Sequence, residues 1–329
     1  MKPPDSAYRA PAWLPGGNLQ TLYPALLARR PAVDYRRERW DTPDGDFIDL
    51  DWTEPQDRGL GIENPGQPLL VLFHGLEGSS NSHYARALMH AAVQRGWQGV
   101  VAHFRGCSGE INRLPRAYHS GDSAEIDWIL RRLRAQYGGD TLFAAGVSLG
   151  GNALLKWLGE QGVASAAVVR AAAAVSAPVD LHAAGDALAR GFNMTYTRNF
   201  LHTLKRRSLE RLAAFPGLFD ARQMLAARTL REFDDLFTAP LHGFRGVDDY
   251  YTRASSKPLL AQIRVPTLLL NALNDPFLPA VVLPVPSAMS AAVTAEFPET
   301  GGHVGFISGA FPGTLDWLPQ RLLGFFAPA

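Results

Sequence analysis

A serine stands between two glycines in Gly146-Val147-Ser148-Leu149-Gly150, and a third glycine, Gly151, follows. A serine hydroxyl is a weak nucleophile until a neighbouring base takes its proton. The G-x-S-x-G spacing suits that chemistry, because glycines allow a strand-to-helix turn so tight that the hydroxyl stands clear of the sheet. Such a nucleophile needs a base, and the base needs an acid to orient it. Of nine histidines, His303 is the candidate base: Gly301-Gly302-His303-Val304-Gly305 is a glycine-rich loop just after a strand-like run. Asp275 is the candidate acid, read as closing the apolar run Val265–Asp275 ahead of Pro276. Asp180, closing the earlier apolar run, is the competing acid. The oxyanion formed during attack on a carbonyl needs two backbone N–H donors. Leu149, directly after the serine, and Leu76, in His74-Gly75-Leu76-Glu77-Gly78, are expected to supply them.

These residues need a scaffold, and the punctuation of the chain describes one. Thr141–Val147 is an apolar run of strand length, and Leu149, Ala153, Leu154, Trp157 and Leu158 recur at helical spacing until Gly162. Tyr35–Trp52 holds two strand-like runs around Pro43-Asp44-Gly45, an expected hairpin. Pro68–Gly75 and Gln98–Gly106 are continuous apolar runs, as strands buried on both faces require. Asp122 with Glu125 reads as a capping box opening the next helix. Val265–Asp275 and Ala291–His303 carry later strands, and a helix from about Thr314 to Phe326 closes the pattern. Strands separated by helices predict an α/β fold: a mainly parallel sheet with helices on both faces. Residues 180–257 break the rhythm with helical runs only, and read as a cap inserted into a single domain spanning 1–329. The cap holds Phe192, Phe200, Phe215, Phe219, Phe233, Phe237 and Phe244, most expected in its own core and a minority along an apolar acyl pocket.

Composition excludes several classes. The 329 residues are 47% hydrophobic and 19% charged with net charge +1, which gives no footprint for nucleic acid. The lone Cys107 excludes an internal disulfide framework and fits a reducing compartment, so a cytoplasmic location is expected. The most membrane-like run, Val163–Val179, is interrupted by Arg170 and reads as a buried strand with its flanks; transient membrane contact is compatible with that. No H-E-x-x-H, C-x-x-C pair or Walker loop is present, so neither metal nor other cofactor is expected. Cys107 lacks a turn motif, His74 reads as shaping its loop, and Lys205-Arg206-Arg207 reads as a solvated face. Asn193-Met194-Thr195 matches a glycosylation pattern that a cytoplasmic protein does not use.

Larger motifs carry a resemblance. His74–Leu88, His103–Asp122, Gly146–Glu160, Asn271–Phe277, Gly301–Phe306, Trp13–Pro24 and Tyr250–Ser256 together resemble the YheT-like branch of the α/β-hydrolase family across nearly the whole chain. The order Ser148, Asp275, His303 is that of this family, unlike the trypsin-like or subtilisin-like orders. The resemblance implies a serine hydrolase of carboxylic esters, such as short-chain esters, acylglycerols or related lipid esters. Two positions depart from the branch: Asn18 stands where it carries His, and Asn274 where it carries Asp. The expected partner is a small-molecule ester or lipid substrate. Thioester or amide hydrolysis would use the same machinery, and a non-enzymatic binding module would keep the fold while lacking a competent triad. The sequence does not specify acyl length, alcohol or oligomeric state.

Overall fold

Four runs are apolar without alternation because both of their faces are covered. In the computed structural model, which describes residues 8–54, 66–137 and 141–327, Leu69–Phe73 (β3), Gln98–Ala102 (β4), Leu142–Val147 (β5) and Ala171–Val175 (β6) are the inner strands of one sheet. Tyr35–Asp41 (β1) and Phe47–Thr53 (β2) form the expected hairpin at one edge, and Thr267–Leu270 (β7) with Val293–Glu296 (β8) complete the other. The order is β1-β2-β4-β3-β5-β6-β7-β8; β2 runs antiparallel to its neighbours and every other pair is parallel. Val71, Phe73 and Ala144 face one core with the helices Ser123–Tyr137 and Leu149–Gln161, while Leu70, Leu72 and Val147 face another with His83–Gln94 and Trp317–Phe326. This is an α/β-hydrolase architecture. The chain order reverses between β3 and β5, and ligands bind outside the carboxyl ends of strands at such a reversal.

For reference below, the helices are Gly17–Leu26 (α1), His83–Gln94 (α2), Ser123–Tyr137 (α3), Leu149–Gln161 (α4), Leu181–Leu188 (α5) and Met194–Ala214 (α6). Between β6 and β7 no strand intervenes; α5, α6 and shorter helices through Ala254 fill the interval. Three local expectations are corrected. Glu125 does not cap α3, because the buried Arg105 Nε takes its carboxylate at 2.6 Å. The chain leaves the sheet at Leu270, so Asp275 lies five residues beyond β7 rather than at its end. The last helix starts at Trp317, three residues later than its apolar pattern suggests. Gly138, Gly139 and Asp140, read as the turn ahead of β5, lie outside the described residues.

Candidate active site

Ser148 sits at the carboxyl end of β5 with φ 52° and ψ −121°, a conformation that side-chain-bearing residues rarely adopt. The strain is held from both sides. Its N–H donates to Val175 O at 2.8 Å, and α4 starts at the very next residue. The flanking glycines are required by contact: a Cβ on Gly146 would meet Gly150 O at 2.5 Å, and one on Gly150 would collide with the carbonyls of Phe73 and His74. The serine is therefore pinned where β3, β5 and α4 nearly touch.

The imidazole of His303 reaches it from β8's far side. His303 Nε2 lies 3.0 Å from Ser148 Oγ, and His303 Nδ1 lies 2.9 Å from Asp275 Oδ2. Asp275 is buried and its second oxygen accepts the N–H of Phe277 at 2.8 Å, so the carboxylate cannot rotate away. Phe277 then stacks on the imidazole with centroids 4.1 Å apart. The loop itself is tethered through four successive backbone N–H groups. Gly301 donates to Gln20 Oε1 (2.9 Å), Gly302 to Asn274 Oδ1 (3.0 Å), His303 to Thr21 Oγ1 (2.8 Å) and Val304 to Ser176 Oγ (3.1 Å).

That tethering gives the N-terminal motif a place. Helix α1 packs against Asn274 so closely that a Cβ on Gly17 would collide with the Asn274 carbonyl. Gln20 Nε2 donates to Leu14 O at 2.8 Å, leaving Oε1 to accept from both Gly301 N and Asn274 Nδ2. Asn274 thus donates to Gln20 and accepts from Gly302 at once, a double role that an ionised Asp, being acceptor-only, could not fill. Asn18 Oδ1 accepts the Tyr196 hydroxyl of α6 at 3.0 Å. Sequence reading found the motif but not its partners, since Thr21 and His303 are 282 residues apart.

Leu76 and Leu149 both border the same space as Ser148 and His303. On either side of Leu76 the backbone is tied down: Gly75 N donates to the Tyr84 hydroxyl at 2.8 Å and Glu77 N to the Tyr118 hydroxyl at 2.9 Å. Leu149 is the first residue of α4, where helical N–H groups have no intrahelical partner. The space is a cavity of about 400 Å³, lined on the sheet side by Leu76, Ser148 and His303 and on the other by Phe200, Phe233 and Phe237. Of the remaining interval phenylalanines, Phe192 is 55% exposed.

The competing candidates lie elsewhere. Asp180 caps α5 by accepting from Ala183 N and pairs with Lys257 at 3.5 Å. His74 is fully buried; Phe104 N donates to its Nε2, its Nδ1 donates to Gly75 O, and burial, aided by His103, pulls its pKa down to about 3. It is a neutral loop strut. Cys107 is buried, and burial together with Glu77 pushes its thiol up to about 12, the opposite of an activated nucleophile. Of the basic triplet only Arg206 is a solvated side chain: Lys205 Nζ donates to Leu225 O and Ala227 O, and Arg207 Nε meets Glu77 at 3.2 Å. Asn193 Nδ2 donates to Ala187 O and Pro276 O.

Comparison with known proteins bears on the family and the fold. A family profile described as the alpha/beta hydrolase fold matches residues 68–310. The putative esterase YheT of Escherichia coli is 43% identical over 93% of this chain and 88% of its own length. The phospholipase ABHD3 of Mus musculus is 33% identical over 93% of this chain and 74% of its own. Among solved structures, an esterase of Pyrococcus furiosus superposes with a TM-score of 0.55 at 14% identity, covering 91% of this chain and 95% of that one.

Proposed function

The chain belongs to the α/β-hydrolase family, in the branch of the esterase YheT, and from that premise we propose that it cleaves short- to medium-chain carboxylic esters through an acyl-enzyme on Ser148. Ser148 Oγ attacks the ester carbonyl carbon while His303 Nε2 takes the hydroxyl proton. The carbonyl oxygen becomes an oxyanion facing the N–H groups of Leu76 and Leu149. His303 gives the proton to the departing alcohol, and the acyl group stays on Oγ. Water then attacks, deprotonated by His303, and releases the carboxylic acid and free serine. Asp275 holds Nδ1–H throughout and stabilises the imidazolium. One observation carries the reading: the unbroken chain from Asp275 Oδ2 to His303 to Ser148 Oγ at 2.9 and 3.0 Å.

Residues 180–257 act in this reading as a helical cap, and its phenylalanines supply an apolar wall for the acyl chain. Each buried methylene is worth about 0.8 kcal/mol, or about four-fold in kcat/KM. Activity therefore climbs from acetyl esters and falls at the length that fills the cavity, with little action on emulsified long-chain triacylglycerols. The phospholipase relative brings glycerol-based esters within the class. No helix of the described residues is long and apolar enough to cross a membrane.

The test is a p-nitrophenyl ester panel of graded acyl length, with fluorophosphonate labelling of wild type and Ser148→Ala. Loss of the triad serine is worth on the order of 10⁶ in kcat. Labelling that survives Ser148→Ala, or a flat profile across acyl lengths, would contradict the proposal in its two separate parts.

A further inference from the structure

Every arginine along the cavity is answered by a carboxylate except one. Arg105 pairs with Asp44, Asp46 and Glu125, Arg207 meets Glu77, and the exposed Arg206 reaches Glu210 at 3.9 Å. Arg211 has no carboxylate within ion-pair distance; Asp46 and Glu77 act on it only from farther away. It is 8% exposed, it lines the cavity, and its Nε is a buried donor with no acceptor. No hydrogen bond or ion pair joins its side chain to any of the described residues. Lysine in such a place could shed its proton, but a guanidinium stays charged, so the cost of burial cannot be relieved by titration. A buried charge left unpaired is among the least favourable features a fold can retain.

A glycine borders this guanidinium. Gly106 runs alongside with φ +79°, and a Cβ there would approach Arg211 Nη2 to 3.1 Å. Arg211 borders the same cavity as the reacting centre. Leu76 faces the carbonyl oxygen in the reading above, Glu77 follows it and holds Arg207, and Arg211 stands one turn further along α6, about 6 Å on along the axis. Phe200, Leu204 and Phe233 wall the space between.

We propose that Arg211 is an anion-binding subsite, and that the preferred ester carries a carboxylate or phosphate group that reaches it from the bond cleaved at Ser148. The proposal rests on the ester-hydrolase reading of the site. A carboxylate or phosphate presents two oxygens to the planar fork of N–H donors and brings a negative charge to hydrogen-bond distance, where no carboxylate of the described residues stands. The anion belongs either to the acyl part, as in a half-ester of a dicarboxylic acid, or to the alcohol part, as in a glycerol phosphate.

Two matched substrate pairs separate these sources. The acyl arm compares the mono-p-nitrophenyl ester of adipic acid with p-nitrophenyl hexanoate. The alcohol arm compares 1-octanoylglycerol 3-phosphate with 1-octanoylglycerol. The quantity read is the anionic-to-neutral ratio of kcat/KM in wild type, Arg211→Gln and Arg211→Lys. A charge-assisted hydrogen bond of this kind predicts a fall of about 10- to 100-fold in one arm for Arg211→Gln, with partial recovery in Arg211→Lys. The arm that moves identifies the side bearing the anion; a ratio unchanged in both arms overturns the subsite. Wild-type protein gives a test that needs no variant: adipate should slow fluorophosphonate labelling at a concentration at least about ten-fold below that of hexane-1,6-diol, and equal potency overturns the proposal. Absence of all labelling and turnover would defeat the hydrolase reading alone. Calorimetry of adipate binding then decides the subsite: at least about ten-fold weaker binding to Arg211→Gln supports it, and equal binding overturns it.

Discussion

Thr21→Val tests whether the N-terminal helix holds the base in place. Valine keeps the shape of threonine and removes one oxygen. Thr21 Oγ1 donates to Gly17 O within α1 and accepts the N–H of His303 at 2.8 Å. The carbonyl of Gly17 loses only a supplementary partner, because the Thr21 N–H still reaches it within the helix. The His303 amide loses its acceptor, and a buried unsatisfied N–H costs about 1–3 kcal/mol. Spent on displacing the loop, that penalty lowers the fraction of molecules with Nε2 against Ser148 by about 5- to 150-fold. The expected result is a fall of that size in kcat for p-nitrophenyl butyrate with little change in KM. Fluorophosphonate labelling slows in parallel, and Tm falls by only a few degrees. Thr21→Ser, which restores the hydroxyl, should recover most of the rate. If Thr21→Val kept kcat within two-fold of wild type while Tm fell, the tethered amides would stabilise the fold without positioning the base.

Further substitutions separate roles that the chain order leaves open. Asp275→Asn should cut kcat on the order of 10⁴-fold through the wrong imidazole tautomer, whereas Asp180→Asn, which keeps the helix cap and loses only a half-exposed pairing with Lys257, should cost at most about 1 kcal/mol of stability and little rate. Cys107→Ala should label with fluorophosphonate as wild type does, because the thiol is held protonated; loss of labelling would place the nucleophile elsewhere. Burial pulls the pKa of His119 down to about 4 despite Asp122 nearby, so the unfolded chain binds the proton first and this group's contribution is lost as pH falls from 6.5 towards 4. His119→Gln should therefore reduce the urea-unfolding difference between pH 6.5 and pH 5 by about 2 kcal/mol; an unchanged difference would mean that His119 is protonated in the fold.

Local patterns were legible where one neighbourhood decides the outcome. The apolar runs of β3, β5 and β6 could only be covered strands, and the glycines around Ser148 mark a turn that side chains would block. Asp122 and Glu125 misled because capping chemistry looks three residues ahead, while Glu125 is claimed by Arg105 across 20 residues. Asp275 looked like a strand end because Asn271-Ala272-Leu273 continues the apolar run; those residues leave the ladder but stay buried enough to keep its composition, except Leu273, which is 40% exposed. The pairing of Gln20 and Thr21 with the His303 loop has no sequence signature, since nothing in a helix's own pattern says which distant amides its polar side chains accept. Arg211 is hidden for a related reason: an unpaired guanidinium is a fact about neighbours, not about a residue.

The four-point tether on the His303 loop also bears on the order in which the chain is made. Gln20 and Gly301, which meet at 2.9 Å, are 281 residues apart. At roughly 5–20 residues per second, a ribosome needs roughly 15–55 s to travel between them. In the last part of that interval, once Val175 of β6 has been made, Ser148 and its strained turn can already be in place between β3, β5 and α4, yet the imidazole proposed to deprotonate the hydroxyl has still to be made. Helix α1 emerges before the loop and waits with two acceptors unfilled. If His303 is the base as proposed, a chain that has not yet reached it is accordingly inert, and docking of its loop onto α1 is also the step that arms the nucleophile.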